Sequence, residues 1–525
     1  MSTNKESVAN WVKNQIKQEE IDCYLHDGKD FVDDDYIENL IKEAEAKPTT
    51  KEEVEAIIEK AFTIKLMSQE DLAKLVTITD SNLRSLVTKA AKKIKKKVYD
   101  NRIVLFAPLY LGSKCVNGCK YCGFNCNNDQ VKRRVLTMEE VKQEARVIAT
   151  KTGHKRLVVV FGEHPETDAD YICDAMKAIY SVKEKVRGGE ASIRRVNINA
   201  APMSIADLKK LNQAGIGTFQ VFQETYHHKI YSEVHPANSL KGNYRWRLYA
   251  HHRAMDAGID DVAIGTLFGL ADWRFELLAM VAHAKDLEER FGLGPHTVSV
   301  PRLEPATNTD FSWVKHWVND EDFKYLVAVI RLAIPYAGLI VTNRESPQIL
   351  HELVDIITQR DADSRLGIGA YNQALLDGEY DNRGLEVAPS GEDIFSTPDN
   401  QNTNQQFQLG DTRCLDAIIR ELAKSGHIVS FCTAGYRCGR TGKKIMKLLE
   451  TGVEGCFCKL NAILTFREWL DDFGSKETQK IGQAIIDKEL EEVKSRIGSD
   501  YSQVLYDNFM ASYNKIVEGK RDLYF

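Results

Sequence analysis

The alternation of hydrophobic and polar positions divides the chain into three parts. In the first, residues 1–98, apolar positions recur at helical spacing between charged side chains, which is the pattern of amphipathic helices. Two stretches, TKEE at 50–53 and SQED at 68–71, begin with a hydroxyl side chain that is followed three positions later by an acidic one. This arrangement is a signature of helix N-termini. We therefore predict an N-terminal helical extension over residues 1–98.

In the second part, residues 99–376, short continuous apolar runs alternate with helical stretches. Continuous apolar runs are typical of parallel strands that are covered on both faces. Eight such alternations predict an α/β fold of the (β/α)₈ barrel type, in which the chemistry lies at the carboxyl ends of the strands. The predicted strands are residues 104–107, 157–161, 196–199, 218–222, 261–266, 297–300, 339–342 and 366–369.

The third part begins with a polar stretch and then returns to helical spacing. Residues 377–408 are rich in Asn, Gln, Asp and Gly, a composition that predicts a long exposed linker or lid. Residues 409–525 follow a helical pattern that is interrupted by a group of cysteines. We predict a C-terminal helical domain that carries this second cysteine cluster.

Composition and charge exclude several classes of protein. Of the 525 residues, 43% are hydrophobic, which is enough for a sizeable core, and the formal charge of −6 disfavours a dedicated nucleic-acid binder. No apolar run reaches the roughly 18 residues of a membrane span, and the first twenty residues lack the apolar stretch of a secretory signal. We expect a cytoplasmic protein that binds neither nucleic acid nor membrane. In that reducing compartment, eleven partly clustered cysteines indicate metal chemistry rather than disulfides.

The first cysteine cluster directly follows the first predicted strand. Cys115, Cys119 and Cys122 lie within eight residues, so one loop can turn three thiolates towards a soft metal centre. Three protein ligands leave one iron of a 4Fe–4S cluster open. A structural zinc site would need a fourth ligand, for which Cys126 is the candidate.

Polar residues at other predicted strand ends extend this candidate site. Gly162 and Glu163 follow the second strand, where a carboxylate accepts hydrogen bonds from a ligand ammonium group and glycine permits close backbone approach. Gln223 and Glu224 follow the fourth strand as candidate contacts to cofactor or substrate.

Two arginines are candidate substrate contacts. Arg344 follows the seventh strand, and its guanidinium fork matches a carboxylate; the alternative is a structural pair with Glu345. Arg302, after the sixth strand, remains open between ligand contact and barrel-rim structure.

The spacing of the first cluster, with an aromatic residue before the last cysteine, resembles the signature of radical S-adenosylmethionine (SAM) enzymes. The resemblance implies that Cys115, Cys119 and Cys122 ligate three irons and that SAM chelates the fourth. It also implies that Tyr121 lies against the adenine. The Gly162–Glu163 pair resembles that family's motif for the SAM amino group.

Further motifs narrow the resemblance. The sequences FQETYH at 222–227, TLFGL at 266–270, PRLEPA at 301–306 and TNRES at 342–346 are similar to those of the aromatic amino acid lyases. This family includes 2-iminoacetate synthase and the tyrosine lyases of [FeFe]-hydrogenase maturation, and the C-terminal part resembles the latter. The resemblance implies cleavage of the tyrosine Cα–Cβ bond to p-cresol and dehydroglycine, with Arg344 holding the carboxylate.

The same resemblance implies partners and leaves alternatives. The expected partners are tyrosine, SAM, hydrogenase-maturation proteins and an electron donor such as ferredoxin or flavodoxin. A related enzyme that stops at dehydroglycine, or cleaves another aromatic amino acid, is the first alternative. A cluster- or zinc-stabilised binding protein without turnover is the alternative from a different class.

The second cysteine cluster departs from the family pattern. The maturation enzymes make CO and cyanide from dehydroglycine at an auxiliary iron–sulfur cluster held by a CxxCx₂₂C motif. Here Cys432 and Cys458 match its first and third positions, but Gly435 occupies the second and has no thiolate. Cys438, three residues further on, and Cys456, two residues before Cys458, are the candidate replacement ligands, so a second C-terminal cluster remains open at this point.

Overall fold

The core of the computed structural model is a closed barrel of parallel strands. The model describes residues 5–306, 308–380, 406–438, 442–450 and 453–525. Eight strands run in chain order around the barrel, and the last of them pairs with the first. The predicted (β/α)₈ fold is therefore confirmed.

The strands of the described residues are β1 Arg102–Gly112, β2 Arg156–Phe161, β3 Glu184–Val186, β4 Gly189–Ala191, β5 Arg195–Asn199, β6 Phe219–Gln220, β7 Val262–Gly265, β8 Thr297–Ser299, β9 Gly338–Ile340, β10 Gln359–Asp361 and β11 Ile428–Ser430. The barrel strands are β1, β2 and β5 to β10, and β3 pairs only with β4.

Helices precede the barrel, alternate with its strands and follow it. Both predicted helix starts are confirmed: the Thr50 and Ser68 side chains cap the helices that begin at residues 51 and 69. In the described parts of the chain, the α-helices are α1 Lys5–Gln15, α2 Glu19–Asp22, α3 Asp34–Ala46, α4 Lys51–Ala61, α5 Gln69–Val76, α6 Ser81–Tyr99, α7 Met138–Val147, α8 Ala169–Tyr180, α9 Ile205–Gln213, α10 His228–Val234, α11 Tyr244–Leu248, α12 Ala250–Asp256, α13 Trp273–Phe291, α14 Asp320–Ala333, α15 Pro347–Leu353, α16 Ala370–Leu376, α17 Leu415–Lys424, α18 Ala434–Arg437, α19 Gly442–Glu450, α20 Val453–Phe473, α21 Lys476–Ser495 and α22 Gln503–Val517. Across the same residues, no helix has both the length and the apolar character that a membrane span requires.

The eighth barrel strand lies elsewhere than predicted. The apolar run at 366–369 forms a turn, and β10 is instead Gln359–Asp361. The prediction was wrong because β10 carries buried polar side chains in place of an apolar run. Arg360, for example, is 1% exposed and pairs with Asp411, with 2.7 Å between guanidinium nitrogen and carboxylate oxygen. Such a strand has no hydrophobic signature in the sequence.

The predicted C-terminal helical domain also contributes a strand. β11 pairs in parallel with the start of β1, from Arg102 opposite Ile428 to Val104 opposite Ser430. β1 has eleven residues, and its later part pairs with β2. One long strand therefore joins the barrel to the C-terminal region. Most of the predicted linker, residues 377–408, lies outside the described residues.

A buried ion-pair network also ties the C-terminal region to the barrel. Glu468 on α20 lies 3.0 Å from the Lys155 ammonium, directly before β2, and pairs with Arg194, directly before β5. All three side chains are at most 4% exposed. Burial raises the pKa of Glu468, but Lys155 and Arg194 lower it further, to about 2. The carboxylate is therefore ionised in the folded protein.

Removing this carboxylate is expected to destabilise the protein strongly. Glu468→Gln leaves two buried cations without their shared partner, which costs about 3–5 kcal/mol of unfolding free energy. Because folding lowers the pKa of Glu468, its contribution is present above the ordinary carboxyl pKa and is lost as the pH falls towards 2. Urea unfolding measures the change. The control Glu477→Gln removes a half-exposed partner of Arg420 and Lys424 and is expected to cost at most about 1 kcal/mol. Equal effects of the two substitutions would contradict the prediction.

Candidate active site at the carboxyl ends of the strands

A cavity of about 190 Å³ opens into the barrel where the strands end. Its wall is built from several strand ends and from the loops that follow them, as expected for this fold. The predicted site residues that line it are Cys115, Cys119, Tyr121, Cys122, Gly162, Glu163, Glu224 and Arg344. The fold thus brings together residues that are up to 229 positions apart in the sequence.

The cysteine loop after β1 is shaped by one arginine. Arg133 donates hydrogen bonds to the backbone carbonyls of Ser113, Phe124, Asn125 and Asn128. A guanidinium has several donors in a rigid plane, so it can hold several turns of a loop at once. These bonds hold the backbone on both sides of the three cysteines.

Two side-chain amides approach the sulfur atoms. Asn117 Nδ2 lies 3.8 Å from Cys115 Sγ, and Gln406 Nε2 lies 3.6 Å from Cys122 Sγ. Burial raises the pKa of Cys115 to about 11 and that of Cys119 to about 12. Binding of a metal centre therefore has to displace thiol protons, and nearby amide donors favour the resulting thiolates.

This donor set fits an iron–sulfur cluster with one open iron. The three cysteines share one cavity, and Cys126 is exposed and does not line it. Among the described residues, no three His, Cys, Asp or Glu side chains are grouped to hold a single metal ion. A 4Fe–4S cluster does not need such convergence, because each iron takes its own thiolate.

Gly162 and Glu163 follow β2 and contact the start of the cysteine loop. A Cβ atom on Gly162 would lie 2.2 Å from the Lys114 carbonyl oxygen, so the close approach of the two loops requires glycine here. The Val116 N–H donates to the Glu163 carbonyl, and Asn117 Nδ2 donates to its carboxylate. Burial raises the pKa of Glu163. A carboxylate in this position can accept hydrogen bonds from a ligand ammonium group.

Glu224 is the centre of a charge cluster that lines the cavity. Its carboxylate lies 2.7 Å from Lys241 Nζ and 3.2 Å from Arg247 Nη2. Burial raises the pKa of Glu224, but the two cations outweigh this and keep the pKa below its usual value. The backbone φ of Glu224 is +73°, a conformation that costs a non-glycine residue about 1–3 kcal/mol and recurs at functional sites.

Tyr121 is held by a neutral histidine. The Tyr121 hydroxyl lies 2.8 Å from His235 Nε2, and His235 Nδ1 lies 3.0 Å from the Tyr231 carbonyl oxygen. Because a carbonyl only accepts, Nδ1 carries the proton and Nε2 accepts from Tyr121. Burial lowers the pKa of His235 well below its usual value, which agrees with a neutral ring. Tyr121 therefore presents a fixed ring to the cavity.

Arg344 is available for an anionic ligand. It follows β9, and its guanidinium carbon lies 3.3 Å from the centre of the Phe407 ring. Within the described part of the chain it has no ion-pair partner, because Glu345 pairs with Arg302 instead. Burial lowers the pKa of Arg344, yet a guanidinium stays charged at neutral pH.

Five of the predicted residues do not line this cavity: Arg302, Gln223, Cys432, Cys438 and Cys458. Arg302 does not line it and pairs with Glu345 and Asp320. Gln223 is 2% exposed and lies between Phe222 and Glu224, which do line the cavity. Cys438 lies elsewhere in the fold.

Four residues that the sequence reasoning did not single out contribute to the site: Asn117, Arg133, Lys241 and Arg247. Arg247 lies in the sequence YRWRL at 244–248, which does not directly follow a predicted strand. The others are common residue types in loops. Only their contacts in the folded chain identify them.

A second, smaller cavity of about 50 Å³ lies at the opposite end of the barrel. It is lined by residues at the starts of strands, including Arg102 of β1 and Arg156 of β2. Cys432, Gly435 and Cys458 line it as well. The first and third cysteines of the C-terminal motif therefore share one cavity with the glycine that stands in the second position.

Cys438 and Cys456 do not line this second cavity. Cys438 follows α18, where its N–H bonds to the Ala434 and Gly435 carbonyls. Cys456 is buried, and its sulfur lies 3.8 Å from Arg496 Nη2. Among the described residues, the structure thus offers two thiols to the second cavity, and the candidate ligand Cys438 is not part of its lining.

Comparison with family models gives two matches. Residues 109–278 match the radical SAM superfamily, and residues 299–428 match the biotin and thiamin synthesis associated domain. The first match contains the three cysteines, Glu163 and Glu224. The second contains Arg344.

Comparison with known proteins extends the similarity along the chain. A crystal structure of HydG, a maturase of the [FeFe]-hydrogenase, is 41% identical, with a TM-score of 0.84, and the alignment covers 94% of this chain and 100% of that one. HydG from Carboxydothermus hydrogenoformans is 33% identical, with a TM-score of 0.72 and coverage of 95% and 99%. The 2-iminoacetate synthase of Salmonella typhimurium is 28% identical over 320 residues, which are 60% of this chain and 81% of that protein.

Proposed function

The chain belongs to the radical SAM superfamily and, within it, to the HydG-like maturases, and from this premise we propose that it is a tyrosine lyase. The proposed reaction breaks the Cα–Cβ bond of tyrosine. The products are p-cresol and dehydroglycine, which together contain the atoms of tyrosine. A low-potential one-electron donor, such as ferredoxin or flavodoxin, supplies the electrons.

One observation carries the proposal. A single cavity presents three thiols, a carboxylate and a guanidinium that has no ion-pair partner among the described residues, on Cys115, Cys119, Cys122, Glu163 and Arg344. A 4Fe–4S cluster with bound SAM would supply the radical chemistry there. The cavity also has polar groups that match those of an amino acid.

The residues of the chain then have distinct roles. Cys115, Cys119 and Cys122 would hold the cluster. Glu163 would accept hydrogen bonds from the amino group of SAM, and Tyr121 would pack against the adenine. Arg344 would bind the carboxylate of tyrosine with two parallel hydrogen bonds.

Glu224 would orient polar groups of either ligand, because Lys241 and Arg247 hold its carboxylate in place. The proposal is tested by incubating the anaerobically reconstituted protein with SAM, a reductant and tyrosine. We expect p-cresol and 5′-deoxyadenosine. The lyase assignment would be contradicted if 5′-deoxyadenosine formed but tyrosine gave no p-cresol and no other aromatic amino acid was cleaved at its Cα–Cβ bond.

A second candidate concerns the end of the reaction. The second cavity is lined by two thiols and Gly435, and Cys438 does not line it. We therefore propose that the chain cleaves tyrosine but forms no complete auxiliary cluster, so that the reaction stops at dehydroglycine. In the same incubation we expect p-cresol without CO or cyanide.

Restoring the missing thiol is expected to create a second cluster. Gly435→Cys places a third sulfur beside the cavity that Cys432 and Cys458 line. We expect iron per chain to rise from about four to about eight atoms and a second signal to appear in the electron paramagnetic resonance spectrum. Gly435→Ser, which adds similar bulk without sulfur, is the control. Two signals in the unaltered protein, one of which is lost in Cys438→Ala, would contradict the prediction and identify Cys438 as a ligand.

A further inference from the structure

The inner wall of the active-site cavity is mostly apolar. Phe106, Tyr110, Val158, Val160, Ile340 and Leu366 belong to one buried cluster, and all of them line the cavity. An apolar wall inside the barrel suits an aromatic ring, whose burial provides much of the binding energy of such ligands. An aromatic amino acid held by Arg344 would extend its side chain along this wall.

Gln220 interrupts this apolar lining. It ends β6, is 3% exposed and lines the cavity. Its Nε2 atom is buried and, among the described residues, has no hydrogen-bond partner. A buried amide donor without a partner is unfavourable and uncommon in native proteins. Its presence in a ligand cavity indicates that a ligand provides the partner.

The position of Gln220 places this donor away from the carboxylate end of the cavity. Phe222 and Glu224 follow it by two and four residues towards the carboxyl end of the strands, and both line the same cavity. Arg344 lies four residues beyond the end of β9. The cavity therefore has a guanidinium near its mouth, an amide deeper in the barrel and apolar walls between them.

Two other polar groups of the cavity fit this deep position less well. The Asp361 carboxylate already accepts hydrogen bonds from the Asn343 N–H and the Ser364 hydroxyl. The Thr342 hydroxyl has no partner among the described residues. However, Thr342 lies two residues before Arg344 and so belongs to the carboxylate end. Among the described residues that line the cavity, only the Gln220 amide and the Thr342 hydroxyl have a buried polar atom without a hydrogen-bond partner.

We propose that Gln220 binds the phenolic hydroxyl of the substrate and thereby selects tyrosine over phenylalanine. This inference rests on the proposed tyrosine lyase function. A phenol both donates and accepts a hydrogen bond, and a side-chain amide does the same, so the two groups match in either orientation of the amide. Phenylalanine would leave the amide unpaired, which is how a polar pocket rejects an analogue that lacks the hydroxyl. Gln220 is a specificity-determining residue in this proposal and takes no part in bond cleavage.

The test measures binding of amino acids to the reconstituted, SAM-loaded protein by anaerobic calorimetry. We expect the unaltered protein to bind tyrosine at least about 50-fold more tightly than phenylalanine. Gln220→Met has similar length but no amide, and we expect it to weaken tyrosine binding about 10- to 50-fold and to change phenylalanine binding less than about two-fold. Phenylalanine binding is the internal control, because damage to the cavity would weaken the binding of both amino acids.

The outcomes separate this inference from the function on which it rests. If Gln220→Met keeps the tyrosine-to-phenylalanine ratio, or weakens both amino acids equally, the inference is overturned while the lyase function stands. If the unaltered protein does not bind tyrosine, both are overturned. If the variant does not fold, we measure the affinities of the unaltered protein for tyrosine, O-methyltyrosine and phenylalanine. Equal affinities for tyrosine and phenylalanine would contradict a contact to the hydroxyl group.

Discussion

Replacing Cys119 by alanine is expected to abolish reductive cleavage of SAM. The loop after β1 brings three thiols to one cavity, and no fourth cysteine lines that cavity among the described residues. Loss of one thiolate leaves one iron of the cluster without a protein ligand, so we expect activity to fall at least about 1,000-fold. Release of 5′-deoxyadenosine in the presence of reductant measures the effect. Iron content shows whether the cluster is lost with it.

The matched control for this experiment is Cys126→Ala. Cys126 lies four residues after Cys122, but it is exposed and does not line the cavity. We expect this variant to retain iron and SAM cleavage. Loss of activity in Cys126→Ala, with activity retained in Cys119→Ala, would mean that the ligand set has been assigned to the wrong cysteines.

Replacing Arg344 by lysine is expected to weaken tyrosine binding about 30- to 100-fold. The substitution keeps the positive charge but removes the planar fork that binds a carboxylate through two hydrogen bonds. It also removes the contact between the guanidinium and the Phe407 ring. The cluster spectrum and SAM cleavage without amino acid are expected to remain, because Arg344 lies on a different strand end from the cysteines. Calorimetric titration with tyrosine measures the affinity.

Arg302→Lys provides the comparison for this second prediction. Sequence reasoning left both arginines as candidates, but Arg302 is engaged by Glu345 and Asp320 and does not line the cavity. We expect tyrosine affinity to change less than about two-fold in this variant, although its stability is expected to fall. The opposite ranking of the two variants would move the carboxylate site from Arg344 to Arg302.

Sequence patterns predicted the parts of the fold whose signals are local. Continuous apolar runs indicated seven of the eight barrel strands, because strands covered on both faces are apolar throughout. Capping side chains indicated the starts of α4 and α5. The strand β10 escaped prediction because its buried side chains, such as Arg360 beside Asp411, are polar and are stabilised by partners far along the chain. The strand β11 was not predicted because it has only three residues within a helical region, which are too few to show the pattern of a strand.

The sequence by itself determined the chemical groups of the candidate site, which are three closely spaced thiols after the first strand and polar residues at later strand ends. It also showed that glycine occupies the second cysteine position of the C-terminal motif. These features are local, since spacing within a loop and position after a strand can be counted along the chain. Only the tertiary structure decided which polar residues share the cavity. Arg344 and Arg302 have equivalent positions after neighbouring strands, yet Arg344 lines the cavity with no ion-pair partner in the described part of the chain, whereas Arg302 is held by Glu345. Gln220, likewise, has no distinguishing motif. Only the closed barrel shows that its Nε2 atom is buried without a hydrogen-bond partner among the described residues. Burial and hydrogen-bond pairing depend on residues that are distant in the sequence.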